Sequence, residues 1–179
     1  WDLGISDAMS IWLFQAIGKE IRLIGYYENN GKGMEHYIQW LNQYASTHNV
    51  MLGQHLAPHD IEVRELTSGR SRKEVAREMG ISFRTVQRPR TKAEGIQAIR
   101  RMFPRFWFDE DRTEHGLNCI ASYHREFDEK RNVFKDTPVH DWASHGADAL
   151  QTLALGWQES MVSGHRPQPR QAEVRFSVF

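Results

Sequence analysis

Val139-His140-Asp141-Trp142-Ala143-Ser144-His145-Gly146-Ala147-Asp148-Ala149-Leu150 is the stretch on which the reading of this chain turns. At 3.6 residues per turn, Asp141, His145 and Asp148 stand at i, i+4 and i+7, on one stripe of a helix. Trp142, Ala149 and Leu153 repeat that spacing on a neighbouring apolar stripe suited to a core. No Lys or Arg occurs between Lys135 and Arg166, so the acidic stripe has no local countercharge. Carboxylates placed this way repel one another unless solvent, a cation or a distant base compensates. A solvated helix face is the plain alternative, but such faces usually interleave both signs of charge. A divalent-cation site is therefore carried forward.

Working outward, the 179 residues suffice for one domain, and a content of 40% hydrophobic and 11% aromatic residues fits a packed core rather than disorder. Cys119 is the only cysteine, which excludes an intrachain disulfide and suggests a reducing compartment. No apolar run approaches a membrane span, and no signal-peptide pattern opens the chain. The sequence starts at Trp1 inside a strand-like run and reads as part of something longer. The net charge of zero hides an asymmetry: Arg64 to Arg105 carries twelve Lys/Arg against four Asp/Glu, an excess of +8. The remainder is acidic by the same amount. A basic surface beside an acidic centre suits an enzyme that binds a polyanion and cuts it with metal ions. A charge run spread around a solvated segment would look the same in sequence.

The first elements read as strands at Trp1 to Ile5, Met9 to Ala16 and Ile21 to Glu28, the last two joined by a compact turn into a hairpin. Met34 to His48 reads as a helix with Tyr37, Ile38, Leu41 and Tyr44 buried, and Val50 to Leu56 as a fourth strand running into Ala57-Pro58-His59-Asp60. Parallel pairing of the first and fourth strands would bring Asp2 and Asp60 together. Glu62 to Met79 is mostly helical in pattern, with Lys92 to Phe103 amphipathic (Ile96, Ile99, Met102 and Phe103 inward). Asp109 caps a helix expected to reach about Lys130, followed by a loop over Arg131 to Pro138 and the acidic helix to about Gly156. From Ser160 the composition shifts to Gly, Pro, Gln and Arg, so residues 1–158 are read as the domain and 159–179 as a tail with a docking segment at Val174 to Phe179.

Three segments carry a resemblance: Trp1-Asp2-Leu3-Gly4-Ile5-Ser6-Asp7, Leu56-Ala57-Pro58-His59-Asp60, and His140 to Ala149. Together they resemble the nuclease domain of tailed-bacteriophage terminase large subunits, over about residues 1 to 158. The resemblance implies an α/β fold of the RNase H-like kind, a mixed five-stranded sheet with helices on both faces. It implies a metal-dependent endonuclease for double-stranded DNA that uses two Mg²⁺ or Mn²⁺ ions. Carried over, the core ligands are Asp2, Asp60 and Asp148, with Asp7 and Asp141 as further or outer ligands. It also implies an N-terminal packaging ATPase in the full-length protein, a small terminase subunit and a portal as partners, and action in the host cell cytoplasm. The chemistry agrees on its own terms: phosphodiester hydrolysis needs an activated water and charge stabilisation on the leaving oxygen, and oxygen-ligated Mg²⁺ supplies both. His140, His145 and Cys119 lack zinc-site spacing, and the two histidines are assigned to supporting the ligands or to packing.

For DNA, Arg70, Arg72 and Lys73 represent the basic segment, and Lys130 and Lys135, shortly before the acidic helix, are candidates for the scissile phosphate. Arg72 to Val86 also resembles a helix-turn-helix, which would make the chain a DNA-binding module without catalysis. Pro89 cuts its second helix short, so Ile81 to Gln87 is read as a fifth strand instead. A junction-resolvase or transposase-type nuclease on the same fold is the nearer alternative. No phosphate-binding loop of the G-x-x-x-x-G-K-[S/T] kind and no G-x-S-x-G elbow occurs, and Cys119 has no neighbouring basic residue to mark it as reactive.

Overall fold

The computed structural model describes residues 1–4, 7–64, 69–158 and 161. Strands β1 (Met9–Ile17) and β2 (Glu20–Asn29) form an antiparallel hairpin across a turn in which Gly18 takes φ +58, a conformation glycine adopts without strain. Helix α1 (Met34–Thr47) follows, then β3 (His55–Pro58), which runs into a single 3-10 turn, His59–Glu62. After α2 (Arg72–Glu78) comes β4 (Phe83–Val86), paired in parallel with β3. Helix α3 (Lys92–Met102) leads to β5 (Phe106–Phe108), which adds in parallel to the outer edge of β2. Helix α4 (Glu110–Ser122), the hairpin β6 (Arg125–Asp128) and β7 (Val133–Pro138), and α5 (Trp142–Gly156) complete the described chain.

Alternation along β1 explains the layering, because successive side chains point to opposite faces. Met9 and Ile11 join Tyr37, Ile38 and Leu41 of α1, along with Trp1, Ala57, Ile61 and Phe83, in one buried cluster. Trp12 turns the other way and joins Leu23, Leu56, Phe106, Ala149, Leu150 and Leu153 in a second. Helices α1 and α5 thus cover opposite faces, each fully buried aliphatic side chain contributing about 1.5–3 kcal/mol. Tyr44 of α1 is half-buried and donates from its hydroxyl to the Ile24 carbonyl at 2.6 Å.

The sheet differs from the five-stranded expectation. Among the described residues the strands group as β1-β2-β5, β3-β4 and β6-β7. The Trp1 to Leu3 stretch lies between the first two groups. It makes one antiparallel bridge, Asp2 with Ser10, and its Trp1 nitrogen donates to the Leu56 carbonyl at 3.0 Å. One bridge does not sustain a ladder, which is why the layer divides into two short sheets joined by this segment.

Further departures have local causes. The helix expected to Lys130 stops at Ser122, and the charged stretch beyond it forms the β6-β7 hairpin, its turn closed by Lys130 and Arg131 amides donating to Asp128 Oδ1 at 3.0 and 3.2 Å. Asn132 supplies the positive φ, +54. Phe103 is 45% exposed rather than inward, since Pro104 ends α3 there in a 3-10 turn and the buried face is Gly95, Ala98 and Met102. Trp142 is 49% exposed because it stands at the first position of α5, outside the core stripe. Val174 to Phe179 lies outside the described residues.

The stretch from Arg72 to Val86 holds one helix and a strand, not the two helices of a helix-turn-helix. Helix α2 is capped by Ser71 and Glu74, each side chain meeting the other's backbone amide, and ends before Gly80, whose φ of +86 turns the chain into β4. Helix α5 is no solvated face either. Eleven of its fifteen residues are buried, and Ser10 Oγ and Trp12 Nε1 donate to its His145 and Gly146 carbonyls at 2.9 and 2.8 Å. Gly95 lets α3 approach α5 so closely that a Cβ there would strike the Gln151 side chain.

Candidate active site

Three acids from distant parts of the sequence open onto one cleft of about 270 Å³. Asp2 comes from the bridging segment, Asp60 from the 3-10 turn that follows β3, and Asp148 from the middle of α5. Their meeting follows from the topology. Because β3 and β4 are parallel, the chain leaves both at the same edge, where crevices form in α/β sheets. That edge delivers His59 and Asp60 from one strand and Gln87, Arg88 and Arg90 from the other.

The cleft is not purely acidic. Lys92, the first residue of α3, places Nζ 2.7 and 2.6 Å from the two oxygens of Asp148. The countercharge missing from the acidic helix therefore arrives from α3. Asp60 pairs with the neighbouring His59 at 2.8 Å. Asp2 has a largely buried side chain, and its carboxyl is pushed up to about 7, first by burial and then by the negative charge of Asp148. Lys92 and the nearby amino group pull in the opposite direction.

Asp7 and Asp141 do not line this cleft. Asp7 accepts from two histidines of the α5 region, His140 Nε2 at 2.9 Å and His145 Nε2 at 3.1 Å. His145 is 6% exposed and stands between carboxylates, its Nδ1 4.0 Å from Asp2 Oδ2. His140 is steadied in turn by Ser144 Oγ at 3.0 Å. Asp141 lies just before the helix and caps it, accepting from the Ala143 amide at 3.0 Å. Only Asp148 of the sequence stripe reaches the cleft.

The basic residues singled out in the sequence lie elsewhere. Arg70 pairs with Glu78, and Lys73 donates to Glu62 and Thr85 at 2.7 and 2.8 Å. Arg72 opens α2. Lys130 sits in the turn of the β6-β7 hairpin, and Lys135 is tied to Glu126 at 2.5 Å on the same hairpin. None of the five lines the cleft, whereas Arg88, Arg90 and Lys92 do. These three belong to the same +8 run. A signal was available in Arg88-Pro89-Arg90: two cations flanking a proline just past a strand, at the edge where parallel strands end.

The donor set of the cleft, three carboxylates from separate elements, suits a hard cation that keeps several waters. Asp2, Asp60 and Asp148 do not crowd into a single ligand shell, however. Among the described residues, the group of three whose ligand atoms all lie within 4.8 Å of one another is Glu28, His115 and Cys119, on β2 and α4.

The fold that carries this cleft is similar to that of part of a bacteriophage large terminase. Two structures of the large terminase from a thermophilic bacteriophage match at TM-scores of 0.60 and 0.57, the second solved in complex with ADP. Both are 17% identical over 86% of this chain, at which level the likeness is one of fold. The chain spans 37% of the length of those structures. No family model matches the sequence, and comparison with curated proteins gives no match. No helix among the described residues is long and apolar enough to cross a membrane.

Proposed function

We propose that this chain is the nuclease domain of a DNA-packaging terminase large subunit, an RNase H-like endonuclease that cuts double-stranded DNA with two Mg²⁺ or Mn²⁺ ions. The observation that carries the proposal is that Asp2, Asp60 and Asp148, separated by most of the chain, open onto one cleft beside Arg88, Arg90 and Lys92. The fold likeness to a terminase supports it. Asp2, Asp60 and Asp148 would hold the ions, which supply charge stabilisation and an activated water for phosphodiester hydrolysis.

The chain's own residues perform the rest. Arg88 and Arg90 line the cleft and would receive the DNA phosphates, contacts that position the backbone without reading sequence. Lys92 neutralises Asp148, and with cations bound there it would be free to serve as a third phosphate contact. His145 holds Asp7 from the buried side and stands beside Asp2, and His140 fixes the other oxygen of Asp7. Asp141 sets the start of α5 and so the height of Asp148 over the cleft. Arg70, Arg72 and Lys73 belong to the flank of the domain, and Lys130 and Lys135 to a hairpin that would meet DNA away from the cut.

In the full-length protein this domain would follow an N-terminal packaging ATPase and work with a small terminase subunit and a portal in the host cell cytoplasm. Residues 1–158 would form the domain and 159–179 a tail that docks on a partner; removing everything after Gln158 should move Tm by no more than a few degrees. The decisive test is plasmid nicking. The chain should convert supercoiled DNA to open and linear forms with Mg²⁺ or Mn²⁺ and stop with EDTA. Asp2→Asn, Asp60→Asn and Asp148→Asn should fold, bind DNA and fail to nick. Nicking by all three variants at the wild-type rate would remove the site from this cleft.

A further inference from the structure

A second group of ligand atoms lies on the far side of α5 from the cleft. His115 and Cys119 occur at i and i+4 on α4, so both side chains project from one face of the helix. That face packs on β2 and meets Glu28. The Glu28 carboxylate is 14% exposed, and its ion-pair contact is His115 Nε2 at 3.7 Å. Cys119 is fully buried, with Sγ 3.9 Å from the Tyr26 hydroxyl. A tetrahedral ion with bonds of about 2.0–2.3 Å holds its ligand atoms roughly 3.3–3.8 Å apart. The three atoms here already lie within 4.8 Å of one another, so small side-chain adjustments complete the shell.

We infer that Glu28, His115 and Cys119 form a binding site for one zinc-class transition metal ion, pinning α4 to β2 behind the helix that carries Asp148. The donor chemistry selects the metal: one sulfur, one imidazole nitrogen and one carboxylate oxygen suit Zn²⁺ or Co²⁺ and are poor for Mg²⁺. Surrounding contacts orient the ligands in the way metal sites require. Tyr26 donates its hydroxyl to the other oxygen of Glu28, and Trp142 stacks on the His115 ring at 6.1 Å and 28°. The His115 side chain is 57% exposed, which leaves a path for the ion and room for water as fourth ligand. Gly146 of α5 presses on the cluster; a Cβ there would lie 2.7 Å from Cys119 Cβ. Binding replaces the thiol proton of Cys119 by the ion and releases that proton to solvent.

This inference does not depend on the nuclease reading, and its test separates the two sites. The 179-residue chain is titrated with Co²⁺ in excess Mg²⁺, which occupies oxygen-only sites. One equivalent should develop thiolate-to-cobalt charge-transfer absorption in the near ultraviolet, and Zn²⁺ should displace it. Cys119→Ser should abolish the band. His115→Ala, a change at the surface that leaves the core untouched, should weaken Co²⁺ at least about tenfold. The band should survive in the triple variant Asp2→Asn, Asp60→Asn, Asp148→Asn. Absence of the band in the wild-type chain, unchanged affinity in His115→Ala, or loss of the band in the triple variant would overturn the site.

Discussion

The cleft and the flank around α2 draw on the same basic run of sequence yet use it in opposite ways. On the flank, charges are settled locally: Arg70 with Glu78, Lys73 with Glu62, and Arg64 with Glu74 at 3.6 Å. In the cleft, opposite charges arrive from remote segments, Lys92 and Asp148 being 56 residues apart, and Arg88 and Arg90 face the acids across a shared space. An excess of charge along a chain therefore says little about where its field points. Pairs closed within one surface element are screened and contribute at most about 1 kcal/mol each. Charges gathered into a concave, partly desolvated place are worth more, and they attract what can satisfy them.

The largest expected contrast is catalytic. Asp2→Asn, Asp60→Asn or Asp148→Asn should slow plasmid nicking by at least about a hundredfold, since misplacing a metal ligand costs several kcal/mol in the barrier. Glu62→Gln or Glu78→Gln, acids of the flank, should leave the rate within about twofold, a change of under ~1 kcal/mol. Equal losses in the two sets, measured on folded protein, would erase the distinction between the regions.

How much of this is legible in the sequence follows the same line. Asp2, Asp60 and Asp148 are each marked by a short local motif, and β3 and β4 show as two apolar runs, but their parallel pairing does not. The sequence points to pairing of the first and fourth strands, whereas β3 pairs with β4 and the Trp1 to Leu3 segment only bridges Ser10. Lys92 is invisible as the partner of Asp148, because nothing local joins α3 to α5; Gly95, which permits the approach, reads in sequence as an ordinary helix glycine. Asp141 and Asp148 look alike on a helical stripe, but a residue one position before the helix becomes a cap and faces its own backbone. The hairpin over Arg125 to Pro138 reads as helix end and loop since its short strands carry one apolar cross-strand pair, Phe127 against Phe134, too little to show the alternation that reveals strands. Glu28 escapes notice as a neighbour of His115 and Cys119 for the reason Lys92 does: the packing of α4 on β2 is a tertiary fact.

A second contrast lies in stability against pH. The Asp2 carboxyl is raised from 3.8 to about 7, so the fold favours its protonated form and stability falls as pH rises across that window. The loss by neutral pH is on the order of 3–5 kcal/mol. Half-buried His55, lowered to about 4 by desolvation, slopes the other way, losing stability as pH falls from 6.5. The two are separated by difference: Asp2→Asn minus wild type, in denaturant at several pH values, should show Asn more stable at about pH 7 and the gap closing towards about pH 4. On the flank, Glu62 and Glu74 move the other way, lowered by Lys73 and by the Ser71 amide respectively. A flat difference curve would mean that Asp2 is not under strain from its surroundings.

A smaller effect is expected in DNA binding. Arg88→Ala and Arg90→Ala should each lower the slope of log K against log salt by about 0.9, one phosphate contact apiece. Arg70→Ala and Lys73→Ala should change it much less, because each already answers an acid. Weakening should be uniform over duplex sequences. A reversed order, with the flank carrying the slope, would move the DNA path from the cleft edge to α2.

The smallest prediction concerns the flank alone. Ser71 caps α2 by accepting from the Glu74 amide at 3.2 Å, while its own amide donates to Glu74 Oε2 at 2.7 Å. Ser71→Ala removes half of that exchange and should cost about 1 kcal/mol of stability, read as a lower midpoint in urea with an unchanged slope. The lost cap loosens the first turn of α2 and with it Arg72 and Lys73. If the flank only supports the fold, DNA affinity and nicking by the folded fraction should equal wild type at temperatures well below Tm. Should affinity fall instead by as much as in Arg88→Ala, the first turn of α2 would be part of the DNA surface, and the two regions would no longer be opposites but two halves of one groove.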